Sequence, residues 1–186
     1  MAKHQQVQLK VQTEIASVIE KDQTLKLTDR NKLPYTDSVL NEILRFGAIV
    51  PAIARSATNS VRLRNYYIPA KTVVFANLFT VFRDPAVWND AAHFNPEANF
   101  PVITDNSEKQ LYQKSVEQQL IAFGMGKRVC LGENLARQEF FLFFTELMHN
   151  FSVVPDTKSP LPSEFDGTPG ITRGPLPFQV CFSSRN

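Results

Sequence analysis

Phe123-Gly124-Met125-Gly126-Lys127-Arg128-Val129-Cys130-Leu131-Gly132 is the stretch on which the reading of this chain turns. A single cysteine ends a glycine-bearing turn and opens a long apolar helix. Free thiols are mostly protonated at neutral pH, whereas a helix N-terminus and adjacent cations favour the thiolate. Gly124 and Gly126 allow positive φ and let the backbone approach a flat ligand with no Cβ between; Gly132 is expected to do the same where the helix departs. Phe123 is placed to cover one side of the sulfur.

A lone cysteine is most often an inert core residue. Five residues at fixed spacing argue against that here: Phe-x-x-Gly-x-Arg-x-Cys-x-Gly, complete within ten positions. This pattern resembles the haem-binding loop of the cytochrome P-450 monooxygenases, whose cysteine thiolate is the proximal ligand of the haem iron. The resemblance implies that Cys130 is the axial ligand and catalytic centre and that Arg128 meets a haem propionate. Phe123, Gly124, Gly126 and Gly132 would then shape the proximal face.

After the loop, Leu131 to Asn150 reads as a helix, and Phe140-Phe-Leu-Phe-Phe144 suggests burial on most of its sides. The phenylalanines read as core, and His149 as a helix-end residue. Short strands are expected at Phe151–Val154 and Phe178–Phe182. Between them Gly167-Thr-Pro-Gly-Ile-Thr172 resembles the family's last substrate-contacting turn, which makes Ile171 and Thr172 candidate lining residues.

Upstream, about Val7 to Glu20 reads as a helix with Val11, Ile15, Val18 and Ile19 on one face. Lys21 to Lys32 is a loop by composition. Pro34 or Thr36 can open a second helix, with Val39, Leu40, Ile43 and Leu44 on its apolar side. Periodicity puts Glu42 and Arg45 on the opposite side, as a solvated ion pair contributing about 0.3 kcal/mol. Yet Glu-x-x-Arg is the second signature of the resembled family, where the pair is buried behind the haem. It lies within Leu33-Pro-Tyr-Thr-Asp-Ser-Val-Leu-Asn-Glu-Ile-Leu-Arg45, which is similar to the animal microsomal, drug-metabolising branch, so with both signatures present the buried pair is the one expected.

Arg55 closes the apolar run from Phe46 and is a surface arginine or a carboxylate partner by composition. The resemblance makes it a second propionate contact and makes Ile53 and Ala54 substrate-lining, although Pro51 and Arg55 stand one residue closer than in the family. Val61-Arg-Leu-Arg64 alternates as a half-buried strand, and Tyr66–Pro69 and Thr72–Phe75 read as strands around a turn. The family's Ile-Pro-Lys-Gly-Thr appears as Ile68-Pro-Ala-Lys-Thr72, and the missing glycine implies a changed turn. Phe94-Asn-Pro-Glu-Ala-Asn-Phe100 resembles the Pro-Glu-Arg-Phe stretch with Ala98 in the Arg position, which leaves the Glu-Arg lock short of one member. Pro101 to Glu117 reads as a solvated loop.

At 186 residues and net charge +2, the composition is that of a globular protein with no sign of nucleic-acid binding. Cys130 and Cys181 form neither a disulfide framework nor a Cys-x-x-Cys zinc site, and a bridge between them is not expected. No leader pattern opens the sequence, and no apolar run approaches the ~20 residues that span a bilayer.

The fold expected is mainly α with minor β (α+β), the C-terminal portion of the cytochrome P-450 fold, with residues 1–186 as the haem-thiolate-bearing part of one domain. The resemblance runs from about Val7 to Phe182, less than half the family's usual length. An N-terminal membrane anchor, most of the substrate cavity and the distal acid–alcohol helix are expected upstream. Implied too are haem as cofactor, molecular oxygen, a small apolar organic substrate, an NADPH-dependent flavoprotein reductase and residence at the endoplasmic reticulum membrane. Two readings stand: the haem end of a monooxygenase, inactive alone, or a truncated non-catalytic haem-binding or interaction remnant. A thiol hydrolase is a weaker third, because no histidine has a recognisable context.

Overall fold

Gln8, Val11, Gln12 and Ile15 follow the spacing of one helical face, and all four are buried on helix α1, Gln5–Val18. The protein is described from a computed structural model, which covers residues 1–103, 108, 112, 115–116, 118–168 and 170–185. The segment expected to be a loop from Lys21 onward ends in a 3-10 helix, Leu27–Lys32. Asp29 accepts from the Lys26 amide there and closes the turn.

Helix α2, Pro34–Gly47, begins with Pro34 in the first turn, where its missing N–H costs nothing. Leu33 gives no side-chain cap. Glu14 reaches across from α1 instead: its carboxylate accepts from the Tyr35 and Thr36 amides at 2.7 Å each and from the Thr36 hydroxyl. An acid thus satisfies two orphan donors at the positive end of α2.

Among the described residues there are three two-stranded antiparallel sheets. β1, Ala52–Ser56, pairs with β4, Val73–Asn77, in the register Ala54 opposite Phe75. Nested between them, β2, Val61–Leu63, pairs with β3, Tyr66–Ile68. β2 is exposed at every residue, so the expected half-buried alternation does not hold; this hairpin stands in solvent. β5, Phe151–Pro155, pairs with β6, Val180–Ser184. Short helices follow β4 and the Trp88 loop: α3, Leu78–Val81, and α4, Pro96–Asn99.

In the turn lacking the family's glycine, Lys71 stands at the glycine's position. Lys71 itself takes φ +66°, donates its amide to Ala57 O at 2.7 Å, and carries the left-handed strain. Of Pro101–Glu117, residues Glu108, Tyr112, Ser115 and Val116 are helical, so the loop expectation fails at those positions; the rest lies outside the described residues, except 101–103.

Helix α5, Glu133–Asn150, is buried on one stripe only, through Phe141, Thr145 and Met148. Phe143 is 70% exposed, so the helix is not surrounded as its phenylalanine run implied. One core joins α1, α2, α5 and β5 around Val11, Ile15, Leu33, Val39, Leu40 and Phe141. Full burial of each such side chain contributes about 1.5–3 kcal/mol. A second core gathers Ala48, Leu78, Phe82, Trp88, Phe100 and Leu120 at the far end of α2.

The free edge of β5 is occupied by amide side chains of α1. Gln8 donates to Val153 O at 3.0 Å and accepts from Val153 N at 2.7 Å, and Gln12 donates to Phe151 O.

Two stability measurements test these contacts. Glu14→Ala should cost about 1–2 kcal/mol in urea unfolding by uncapping α2. Lys71→Gly should raise stability by up to about 1 kcal/mol, since glycine meets no Cβ penalty at that φ.

Candidate functional site

The cysteine loop is a closed backbone circuit. The Gly124 amide donates to Ile121 O and the Cys130 amide to Phe123 O, each at 2.9 Å, with one 3-10 turn, Gly126–Arg128, between. Gly124 at φ +80° and Gly126 at φ +72° make the two reversals that an L side chain resists. Gly132 differs from expectation: its φ of −90° is ordinary. A Cβ there would make only an ordinary contact, 3.9 Å from Cys130 Sγ. Cys130 itself is a free, exposed thiol directly ahead of α5, and Cys181 is free and exposed as well.

Phe123 is held by a partner that sequence reasoning missed. The Arg137 guanidinium lies 5.1 Å from the Phe123 ring centroid, donates to Glu133 Oε1 at 2.8 Å and reaches Asn41 Oδ1 at 3.4 Å. The signal was present as a Glu-to-Arg spacing of four on one helix.

Arg55, on β1, is brought to the loop: its Nη2 donates to Arg128 O at 3.3 Å across 73 residues of chain. Both arginines are exposed. Ile53 backs the loop, its Cδ1 3.7 Å from where a Cβ on Gly124 would stand, while Ala54 faces solvent opposite Phe75. Ile171 is 91% exposed on a turn and Thr172 is exposed beside it.

Glu42 and Arg45 are both 0% exposed, so the solvated pair that periodicity favours is not what forms. The first core covers one side of α2, and the segment from Phe82 to Asn99 closes over the pair on the other. Arg45 Nε and Nη2 bind the two carboxylate oxygens at 2.6 and 2.7 Å. Nη1 donates to Phe82 O and Ala91 O, and Nη2 also to His93 O, which employs every guanidinium N–H. Glu42 Oε1 additionally accepts from the Asn95 amide at 2.8 Å and from Asn99 Nδ2 at 3.1 Å.

The lock is therefore not short of a member. Counted back from Phe100, the Arg position of Pro-Glu-Arg-Phe is Asn99, and Asn99 makes the contact that Ala98 cannot. Behind it, Asp90 accepts from Asn95 Nδ2 and contacts His93 Nδ1. These two hydrogen bonds, Asn95 first, hold the Asp90 carboxyl below the usual carboxylate range.

The donor set suits one kind of metal group. Among the described residues no three His, Cys, Asp or Glu stand together as a cage for a bare ion. A single exposed thiol fits a metal whose other ligands come with it, held in a flat ring. On the same loop Gly126 has open space where a Cβ would stand, and two exposed arginines, Arg55 and Arg128, meet through the Arg128 carbonyl and can serve peripheral carboxylates. Haem meets each of these conditions.

Breaking the buried pair should be severe: Glu42→Ala is expected to cost about 3–5 kcal/mol in equilibrium unfolding by stranding Arg45. Asn99→Ala should cost about 1–2 kcal/mol, the loss of one hydrogen bond to a charged group.

Comparison with known proteins agrees with this geometry. The family model for cytochrome P450 matches residues 1–182. Bovine (Bos taurus) cytochrome P450 2U1 is 36% identical over 187 residues, and Danio rerio cytochrome P450 2K6 is 41% identical over 189. Both alignments cover 100% of this chain but only 32% and 35% of the relatives, so the chain spans about a third of their length. A zebrafish cytochrome P450 structure with abiraterone superposes with a TM-score of 0.83 at 29% identity, covering 98% of this chain and 40% of that one. One with progesterone gives 0.84 at 30% identity, with the same shares. The helices, small sheets and cysteine loop described above are thus a portion of a known architecture, and the chain belongs to the cytochrome P450 family.

Proposed function

We propose that this chain carries the thiolate end of a haem-dependent monooxygenase, with Cys130 as axial ligand and Arg55 and Arg128 as propionate contacts. The family is one of haem-thiolate monooxygenases. The observation that carries the residue assignment is the exposed Cys130 thiol on a loop set by two left-handed glycines, with Arg55 folded onto the same loop.

When bound, haem would supply the oxygen-activating chemistry, with Cys130 as the thiolate that holds its iron. The chain's own residues do the rest. The closed circuit from Phe123 to Cys130 fixes where the sulfur stands. Phe123, held against Arg137, is assigned to the flank of the sulfur. Gly124 and Gly132 leave room for the flat ring, and Arg55 and Arg128 orient its acidic edge. Glu42–Arg45 keeps α2 and the Phe82–Phe100 segment rigid behind the loop. Ile53, Ala54, Ile171 and Thr172 are assigned to the ligand side as apolar or weakly polar walls.

Because the chain spans about a third of its relatives, substrate oxidation is proposed for the whole protein and haem ligation for these residues. The whole-protein proposal includes a small apolar organic substrate, electrons from an NADPH-dependent flavoprotein reductase, and the endoplasmic reticulum membrane. Among the described residues no helix is long and apolar enough to cross a membrane.

The decisive measurement is the absorption spectrum of the haem-loaded chain, reduced under carbon monoxide. The wild type should give the red-shifted Soret band of a thiolate complex. Cys130→Ser should abolish it and Cys181→Ser should leave it intact. Equal loss in both variants would refute the assignment of Cys130.

A further inference from the structure

Arg173 is the residue that ties the Ile171–Thr172 turn to the remainder of the fold. Its backbone amide donates to Ile49 O at 2.7 Å, and its Nη1 donates to Gly47 O at 3.3 Å. Gly47 is the last residue of α2, so this carbonyl is one of the acceptors a helix leaves unpaired at its negative end. On the other side Nη2 lies 3.0, 2.9 and 3.2 Å from the carbonyl oxygens of Glu164, Phe165 and Asp166. The guanidinium carbon stands 5.5 Å from the Phe79 ring centroid. One side chain thus joins the end of α2, the 164–166 segment, the exposed turn and α3.

The surroundings are built to admit this side chain. A Cβ on Gly167 would lie 3.0 Å from Arg173 Nε, 3.2 Å from its Cγ and 2.9 Å from Gly174 O. Thr168 closes the base of the turn by donating its amide to Gly174 O at 2.9 Å. The turn is consequently a small closed loop with Ile171 at its exposed tip, and Arg173 is its anchor. Ile49 stands just ahead of β1, the strand that carries Ile53 and Ala54.

We propose that Arg173 is a positioning residue that holds the Ile171–Thr172 turn and the Gly47–Ile49 lead into β1 at one spacing, and that this spacing sets the size of apolar ligand accepted beside the haem. The inference rests on the substrate-lining assignment made under Proposed function. A lysine cannot replace the arginine, because a single ammonium cannot reach Gly47 O and the 164–166 carbonyls together.

The test uses the full chain as wild type, Arg173→Met, Arg173→Lys and Gly167→Ala; the last crowds the arginine together with the Gly174 carbonyl, so Ala48 is its informative amide. Hydrogen exchange is followed at the amides of Ala48, Thr168 and residue 173. Exchange at these three should rise tenfold or more together in Arg173→Met and Gly167→Ala, less in Arg173→Lys, and should stay constant in α1.

In the haem-loaded protein, Soret shifts give dissociation constants for imidazole and for the larger 4-phenylimidazole. Imidazole should stay within twofold, while 4-phenylimidazole changes tenfold or more. Unchanged exchange at Ala48, an even rise across the whole chain, or equal changes for both azoles would each overturn the proposal. Failure of the wild type to take up haem would sink the reading under Proposed function; the exchange measurement would still decide whether Arg173 couples the two segments.

Discussion

Taking a carboxylate and a guanidinium out of water costs several kcal/mol per ion, and only dense hydrogen bonding offsets it. Glu42 and Arg45 are placed where that offset is complete: each guanidinium N–H has an acceptor, and the carboxylate takes four donors. Because three acceptors are backbone carbonyls, of Phe82, Ala91 and His93, the pair specifies the path of an irregular segment that has few ladders of its own. The second core, with Trp88 and Phe100 in contact, packs on that path. The cysteine loop then continues directly from Leu120, a member of the same core.

The loop works by a different physics. Its shape comes from backbone conformation, with two residues in a region open to glycine, and not from buried area. That explains why an exposed thiol can be held in a definite place. Rigidity is provided from outside, by Arg137 on Phe123, by Arg55 on Arg128 and by the immediate start of α5.

What was legible in the sequence follows from these differences. Glycine spacing around Cys130 encodes φ directly, so the loop could be read, apart from Gly132, whose φ is ordinary. The helices Gln5–Val18 and Pro34–Gly47 could be read from apolar periodicity. Periodicity misplaced Glu42 and Arg45 because it assumes one wet face, and α2 has none to spare around that pair. The solvent-exposed face of α5 was hidden by the opposite error, since a run of phenylalanines carries no sign of which side is covered. Lys71 shows that a residue can hold a glycine's conformation, so a missing glycine says little about the turn. Asn99 was obscured by an alignment counted forward from Pro96 when the contact depends on distance from Phe100. Contacts to carbonyls, such as those of Arg173, leave no residue-type signature at all.

The glutamines of α1 have a consequence of a different sort. A two-stranded sheet normally leaves a row of unpaired backbone groups as a template for foreign strands. At Val153 that row is answered by a side chain with one donor and one acceptor in the order a neighbouring strand would present them. Gln8 therefore acts as a fragment of a third strand mounted on a helix. Glutamate would offer only acceptors and lysine only donors, so the match is a matter of complementarity and not of strength. It sets the longitudinal alignment of α1 against β5 as base edges set the alignment of paired nucleic-acid strands. Gln5 on the preceding turn also donates to Val153 O, at 2.9 Å, and Gln12 on the next turn donates to Phe151 O, so three glutamines hold the helix along this edge. The contact carries positional information between a helix and a sheet, which apolar packing between the same two elements does not.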